Sequence, residues 1–378
     1  MSPFGGNDRS IVSVTAVGHA LVHTYELSLP IFMTIWLTEL ATSRSELGLV
    51  VGLGYALFGA GALPGGMLTD RFGSRRLIAG CLAGMAGSFA LLALSSSLWT
   101  IGACLLLWGL AASVYHPAGL SLISRGAYER GYAFAYHGIA GNAGIALGPL
   151  VTALLLIVVD WQTAALLLAL PAAAGALYAA RIELDETAAE RSRSASGSDA
   201  AGRAAYAEPE SPELGDPNAE SGSEPGRESG VDPGSRTAAS VGRGSKRPLA
   251  RFLDGSRALL TTAFLAVLFI ATCSGLYYRG VLTFLPDLFS GFPGFDPIAI
   301  GSTTLEPGRY VYVGILMVGM AGQYVGGWLT DRTSLGKSLA GSFLVLAAIA
   351  VFFLPASGAG LSVILPVSAV LGFFLFLI

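Results

Sequence analysis

Charge is what this sequence has least of: Asp, Glu, Lys and Arg make up 12% of its 378 residues, half of the roughly 25% found in an ordinary soluble domain. Lysine is nearly missing, with Lys246 and Lys337 its only occurrences. The acidic residues are unevenly spread, since 13 of the 25 lie between Glu183 and Asp232. With 53% hydrophobic residues and a mean hydropathy of +0.63, the rest of the chain suits a solvent that does not reward charge, which is the bilayer. Cysteine is scarce as well. Cys81, Cys104 and Cys273 stand singly in apolar runs without CxxC spacing, which excludes a disulfide framework and a thiolate metal site and leaves small core residues. A net charge of -3, its acidic excess confined to one segment, gives no basic footprint and excludes nucleic acid as a partner. GxSxG and HExxH are absent. Gly336-Lys337-Ser338 resembles the end of a phosphate loop, but Asp331 stands where the upstream glycine belongs, so no ATPase, no other enzyme and no cofactor is expected. Met1 to Ser10 is too short and too near neutral for a cleavable signal, so the first run reads as a retained spanning helix.

What is present is a series of apolar runs of about 20 residues, the length that spans a hydrocarbon core as a helix. Six occur at about 11–38, 47–69, 77–96, 98–123, 132–158 and 162–180, and four more at about 258–287, 308–329, 338–355 and 360–378. Between the sets, the composition turns to Glu, Asp, Ser, Gly and Pro and cannot bury enough apolar surface to fold. The expected domains are therefore a six-helix bundle over 1–181, an acidic disordered linker over 182–257, and a second bundle over 258–378. Arg71, Arg75 and Arg76, then Arg125 and Arg130, then Arg181 fall in alternate connections, which puts the N-terminus and the linker on the cytoplasmic side of a multi-pass cell-membrane protein.

The halves repeat one another. His23 and Arg279 each precede a proline, Pro30 and Pro286, by seven residues, and those prolines lie 256 apart. Gly66-Met-Leu-Thr-Asp70-Arg71 returns as Gly327-Trp-Leu-Thr-Asp331-Arg332 at an offset of 261. The same offset puts Ile378 level with Pro117 in the middle of run four, so the last two spans of a second six-span unit are expected to be missing, as in a truncated reading frame or fragment.

Gly66-x-x-x-Asp70-Arg71-x-Gly73-x-Arg75-Arg76 resembles the signature loop of the major facilitator superfamily. Its degraded copy, Gly327, Asp331 and Arg332, stands where the duplication requires it. Physically, the glycine permits close helix contact, the aspartate caps or bridges to a neighbouring helix end, and the arginines anchor the cytoplasmic face. Gly18-His19, Tyr115-His116-Pro117, Gly141-Asn142-Ala143-Gly144 and Arg279-Gly280 are similar to the fosmidomycin-resistance branch of that superfamily. The resemblance implies an all-α integral membrane fold of major-facilitator-type bundles, six spans plus an incomplete second bundle of four. It further implies proton-driven export of a small molecule by alternating access, with no partner beyond substrate, protons and the lipid bilayer, by a monomer. A reading from another class is a non-transporting membrane protein, a sensor or a decayed transporter remnant.

All four histidines, His19, His23, His116 and His137, fall in membrane runs, where ionisable side chains mark pathways or polar contacts. At 100° per residue His19, His23, Glu26 and Pro30 lie within a stripe of about 60° on one face of run one. In the resembled family runs one, four, seven and ten line the cavity, which makes Glu26 the candidate proton carrier with histidine beside it. Interhelical hydrogen bonding that only holds the bundle together is the bland reading of the same residues. The i,i+4 pair His19 and His23 has metal-ligand spacing but no further support in the sequence, so no metal is expected. Asn142, Tyr278 and Arg279 complete the candidate substrate and proton site, and Arg279 suits either an anionic substrate group or a structural pair with a carbonyl or Asp287. His137, Gly141, Gly144 and Gly148 fall at i, i+4, i+7 and i+11, a small-residue packing face ending at Pro149. Gly144-x-x-x-Gly148-Pro149 resembles the first half of the family's antiporter motif, although Leu150 to Ala153 follow where further glycines would stand.

Overall fold

The computed structural model describes residues 5–195, 261–301, 303–330 and 332–377. Each apolar run becomes helix: α1 (Gly6–Glu39), α2 (Arg44–Ala60), α3 (Ala62–Phe72), α4 (Ser74–Leu92), α5 (Leu98–Ala112), α6 (Tyr115–Gly126), α7 (Arg130–Val158), α8 (Trp161–Arg181), α9 (Thr262–Ser290), α10 (Pro307–Thr330), α11 (Leu335–Gly358) and α12 (Leu361–Leu377). Polar residues at the run ends start several of them. Ser43 and Glu46 form a capping box for α2, Ser97 and Thr100 do the same for α5, and Asp160 accepts the Thr163 N–H at the start of α8. That last bond holds the Asp160 carboxyl below the usual carboxylate range. Seven spans are long and apolar enough to cross a bilayer, the bent pair α2 and α3 forms an eighth, and α10 and α12 occupy the remaining two runs. Large side chains such as Leu94 and Trp99, 81% and 82% exposed, point away from the bundle. The fold is an all-α membrane bundle.

Two details depart from uniform helices. Run two breaks between α2 and α3 with a bend of 46°, and run four breaks at Ser113 and Val114 between α5 and α6. The breaks touch, because a Cβ on Gly61 would collide with the Ser113 side chain. The connection between α9 and α10 carries a hairpin, β1 (Ile298–Ile300) antiparallel to β2 (Thr303–Leu305), with Ile298 opposite Leu305.

The chain divides into two compact units, Met1–Ser196 with Leu276–Ile378, and Gly197–Gly275. Of the second unit, 261–275 are described and form the start of α9. In the first unit one core gathers Trp36, Trp161, Phe32, Phe89, Tyr25 and Trp108 within α1 to α8. Another joins Leu27 and Ile31 of α1 and Ile145 of α7 to Leu282, Leu285 and Phe289 of α9, Tyr312 and Leu316 of α10, and Leu371 of α12. The two sequence halves therefore meet across a common apolar seam. Arg44 spans the same seam at its edge, bonding Asp287 at 2.6 Å. Arg309 reaches Thr34 at 3.1 Å.

The structure corrects the start of the linker. Residues 182–195 are ordered, with a helical segment over 188–195, and they dock on helix ends of the first bundle; the rest of the predicted linker, to residue 257, lies outside the described residues, as do the first three residues expected in the second bundle. Glu186 accepts the backbone N–H groups of Ser74 (2.6 Å) and Arg75 (3.2 Å) at the N-terminus of α4, where Gly73 turns at φ 83°, an angle that glycine adopts without penalty. The Asp185 N–H donates to Asn7 at 2.7 Å, and Arg125 donates to Glu190 at 2.8 Å. Composition sees only the missing aliphatics; these acids are placed by charge-assisted bonds to helix ends instead. Glu186→Ala is expected to remove a cap of about 1 kcal/mol. Limited proteolysis within 182–195 should then speed up about fivefold, and unchanged cleavage would show that the segment is held elsewhere.

Candidate functional site

Three residues of the stripe expected on run one, His19, His23 and Glu26, are joined by hydrogen bonds. On α1, the His23 Nδ1 lies 2.6 Å from Oε2 of Glu26, and its Nε2 lies 3.0 Å from Nε2 of His19. The His19 Nδ1–H donates to the His137 carbonyl at 2.7 Å. Glu26, only 2% exposed, takes the Arg279 guanidinium of α9 on its other carboxylate oxygen. Arg279 therefore pairs with Glu26, which excludes Asp287 as its partner; Asp287 is engaged by Arg44.

Proton counting follows from these contacts. A carbonyl and a carboxylate only accept, and a neutral imidazole carries one donor and one acceptor. The three bonds His137 O to His19, His19 to His23 and His23 to Glu26 need three protons. Two neutral imidazoles and a carboxylate supply two. However the tautomers are drawn, the chain His19–His23–Glu26 holds one proton beyond that reference, and its loss leaves two lone pairs facing each other. The geometry is that of a single-proton store wired to a buried ion pair between the sequence halves.

Around this chain stand residues the sequence placed and one it missed. The rings of His19 and His137 stack at 3.8 Å, and His116 meets His19 edge-on at 5.3 Å. Donor atoms of His19, His116 and His137 lie within 4.8 Å of one another, a grouping that the i,i+4 reading of His19 and His23 did not foresee because two of the three come from α6 and α7. The His137 Nδ1 is buried without a partner, and such an unmet group costs about 1–3 kcal/mol. Tyr278 flanks Arg279 at 5.8 Å, whereas Tyr55 of α2 lies beneath the guanidinium at 4.3 Å and donates its hydroxyl to the Glu26 carbonyl at 2.8 Å. Tyr55 was absent from the sequence candidates; no local motif surrounds it, and only the packing of α2 on α1 brings it in. Asn142 sits half-buried on α7 and joins none of these contacts.

The packing face of α7 lies on α1. A Cβ on Gly141 would strike the His19 ring, one on Gly144 the Ala20 carbonyl, and one on Gly148 the Thr24 backbone. Pro149 is buried beside them in the same helix. At the signature loop, Asp70 lies 3.5 Å from Arg125 at the end of α6, Arg71 stacks on Phe72 at 5.2 Å, and Arg75 donates to the Ala180 and Ile182 carbonyls at 2.9 and 3.0 Å. The glycine reading needs a shift of register: Gly66 faces open space, while Gly65 faces Pro117 and Val114. In the second half Gly322 and Gly326, 261 residues after Gly61 and Gly65, abut the backbone of Phe373 and Leu377 on α12, so the duplicated contact glycines are this pair. Arg332 stacks on Trp328 at 4.4 Å; Gly327 lies near the end of α10, and Asp331 falls outside the described residues.

The comparisons agree with this architecture. Two curated sequences from Mycobacterium tuberculosis strains, described as an uncharacterized and a putative uncharacterized MFS-type transporter, are each 40% identical over 100 residues, 26% of this chain. The match spans only 23% of the length of those relatives. Among solved structures, an inward-facing, unoccupied bacterial homolog of the human lysosomal transporter Spinster aligns at a TM-score of 0.64 and 14% identity, covering 99% of this chain and 74% of that one. A nucleoside transporter aligns at 0.66 and 12% identity over 98% and 80%, and a D-xylose-proton symporter at 0.57 and 14% over 98% and 80%; at such identities the likeness is one of fold. Residues 15–378 match the Major Facilitator Superfamily, and the chain belongs to that family.

Proposed function

We propose that this chain is a secondary transporter that moves a small anion across the cell membrane by alternating access, together with a proton. The observation that carries the reading is the Glu26–Arg279 ion pair, buried at the seam between the halves. Two desolvated charges hold each other there only while both are charged. A proton on Glu26, delivered through His23, removes the counter-charge of Arg279 and frees the guanidinium for an anionic substrate group; return of the carboxylate expels that group. The groups facing Glu26 are His23 on its own helix, Arg279 on α9 and Tyr55 on α2, and Tyr278 faces Arg279. His19, His116, His137 and Asn142 are assigned to the wall of the same site.

With the N-terminus and linker cytoplasmic, the Arg44–Asp287 contact closes the external side, and the loops carrying Asp70, Arg71, Arg75 and Arg332 act as the internal gate. Gly141, Gly144 and Gly148 let α7 ride on α1 as that gate works. The test is vesicle-reconstituted chain carrying a pH-sensitive dye and loaded with a small phosphonate or carboxylate anion. An imposed proton gradient is expected to drive the anion against its own gradient, with protons moving the same way. Anion movement that persists unchanged after an ionophore collapses the gradient would overturn proton coupling, and opposed movement would overturn joint binding of proton and anion.

A further inference from the structure

We infer that His19, His116 and His137 form a three-histidine site for a borderline divalent transition-metal ion of the Zn²⁺ or Co²⁺ kind, with a fourth position open beside His23. This rests on the cluster itself and not on the transport reading. Three observations point to it. The donor atoms of the three rings converge within 4.8 Å although they come from α1, α6 and α7. His137 is 5% exposed, and its Nδ1 has no hydrogen-bond partner, while His116 takes no part in the hydrogen bonds of the cluster, so two rings carry unused lone pairs. Finally, His19 has the second contact that a metal-bound imidazole needs: its Nδ1–H donates to the His137 carbonyl, which fixes the ring and turns Nε2 into the ligand atom.

The donor set selects the ion. Three neutral imidazoles without a carboxylate are poor ligands for Mg²⁺ or Ca²⁺, which take oxygen, and good ones for the later first-row ions and zinc. Tetrahedral Zn–N bonds of about 2.0–2.1 Å put ligand nitrogens about 3.3 Å apart, so the rings close inward from their present separation when an ion enters. His19 and His116 are half-buried, and the rings of His19 and His137, stacked here at 3.8 Å, turn so that both lone pairs face the ion. The lone pair taken by the ion is the one His23 meets at 3.0 Å, so metal and the His19–His23 bond exclude each other.

The experiment uses the full chain in lipid nanodiscs without a polyhistidine tag, titrated with Co²⁺ and followed in the visible spectrum, then displaced with Zn²⁺. One equivalent of Co²⁺ with the intense bands of a tetrahedral ion is expected, displaced stoichiometrically by Zn²⁺. His116→Gln and His137→Gln should each weaken binding about 100-fold or more, and His23→Gln should keep the tetrahedral spectrum. Absence of binding by the wild-type chain, an octahedral spectrum, or unchanged affinity in His116→Gln would overturn the site. Because the wild-type spectrum and half-exposed His116 decide the matter, misfolding of the buried His137 variant does not obscure it.

Discussion

Glu26→Gln is expected to abolish accumulation of substrate driven by a pH difference while leaving counterflow exchange intact. The amide has the shape of the protonated carboxyl and still bonds Arg279 and His23, so the site stays assembled, but it cannot give up a proton or regain a charge. Arg279 is then held permanently in the state that receives an anion, and substrate exchanges without thermodynamic drive. Glu26→Ala behaves differently: it leaves a buried guanidinium without a partner, at a cost of about 3–5 kcal/mol, and is expected to reduce the yield of folded protein. Adding Arg279→Gln to Glu26→Ala should recover yield but not transport, because the unpaired charge is gone while the anion-binding group is missing. Concentrative, pH-driven transport by a well-expressed Glu26→Gln protein would make Glu26 a structural residue and end the coupling assignment.

Gly148→Leu is expected to be the most damaging single change outside the charged site. An added Cβ would stand 2.6 Å from both Cα and O of Thr24, and backbone cannot step aside as a side-chain tip can. In lipid, where helices associate through close packing rather than through water exclusion, α7 must lift off α1. Overpacking costs about 1–3 kcal/mol in cores that relax, and here the displacement also drags the Thr152–Ser28 bond of 2.7 Å and the His19–His137 contact. Gly144→Val should act alike. Gly138→Val on the same helix, where a Cβ meets nothing within 4 Å, should be neutral. The readout is the fraction of monodisperse protein after extraction, and equal fractions for Gly138→Val and Gly148→Leu would refute the close-packing account.

Much of this was legible because membrane helices obey simple constraints. Run length gave ten spans, the repeat gave two halves, and helical periodicity put His19, His23 and Glu26 on one face, since all three depend only on neighbours in sequence. Pairing across helices was not legible. Arg279 had several sequence-level partners, and only the packing of α9 on α1 chose Glu26; Tyr55 and the convergence of His116 and His137 on His19 were hidden for the same reason. The contact glycine slipped by one place, Gly65 instead of Gly66, because a motif fixes composition while helix rotation fixes which residue faces the neighbour. The recurrence of Gly61 and Gly65 as Gly322 and Gly326 was the available signal. The ordered stretch 182–195 escaped because polar segments are read as unfolded unless their capping partners are known.

The two ion pairs that cross the seam differ in kind. Glu26–Arg279 is enclosed, whereas Arg44 is 68% exposed beside Asp287. An exposed pair is worth about 0–1 kcal/mol and weakens further as salt shortens the screening length to about 8 Å under physiological conditions. Breaking that pair alone therefore shifts the balance of states by about fivefold at most. On the proposed reading the Arg44–Asp287 pair is a clasp rather than a lock, its hold set by the ionic strength of the medium bathing it, while the Glu26–Arg279 pair, out of reach of mobile ions, keeps its hold.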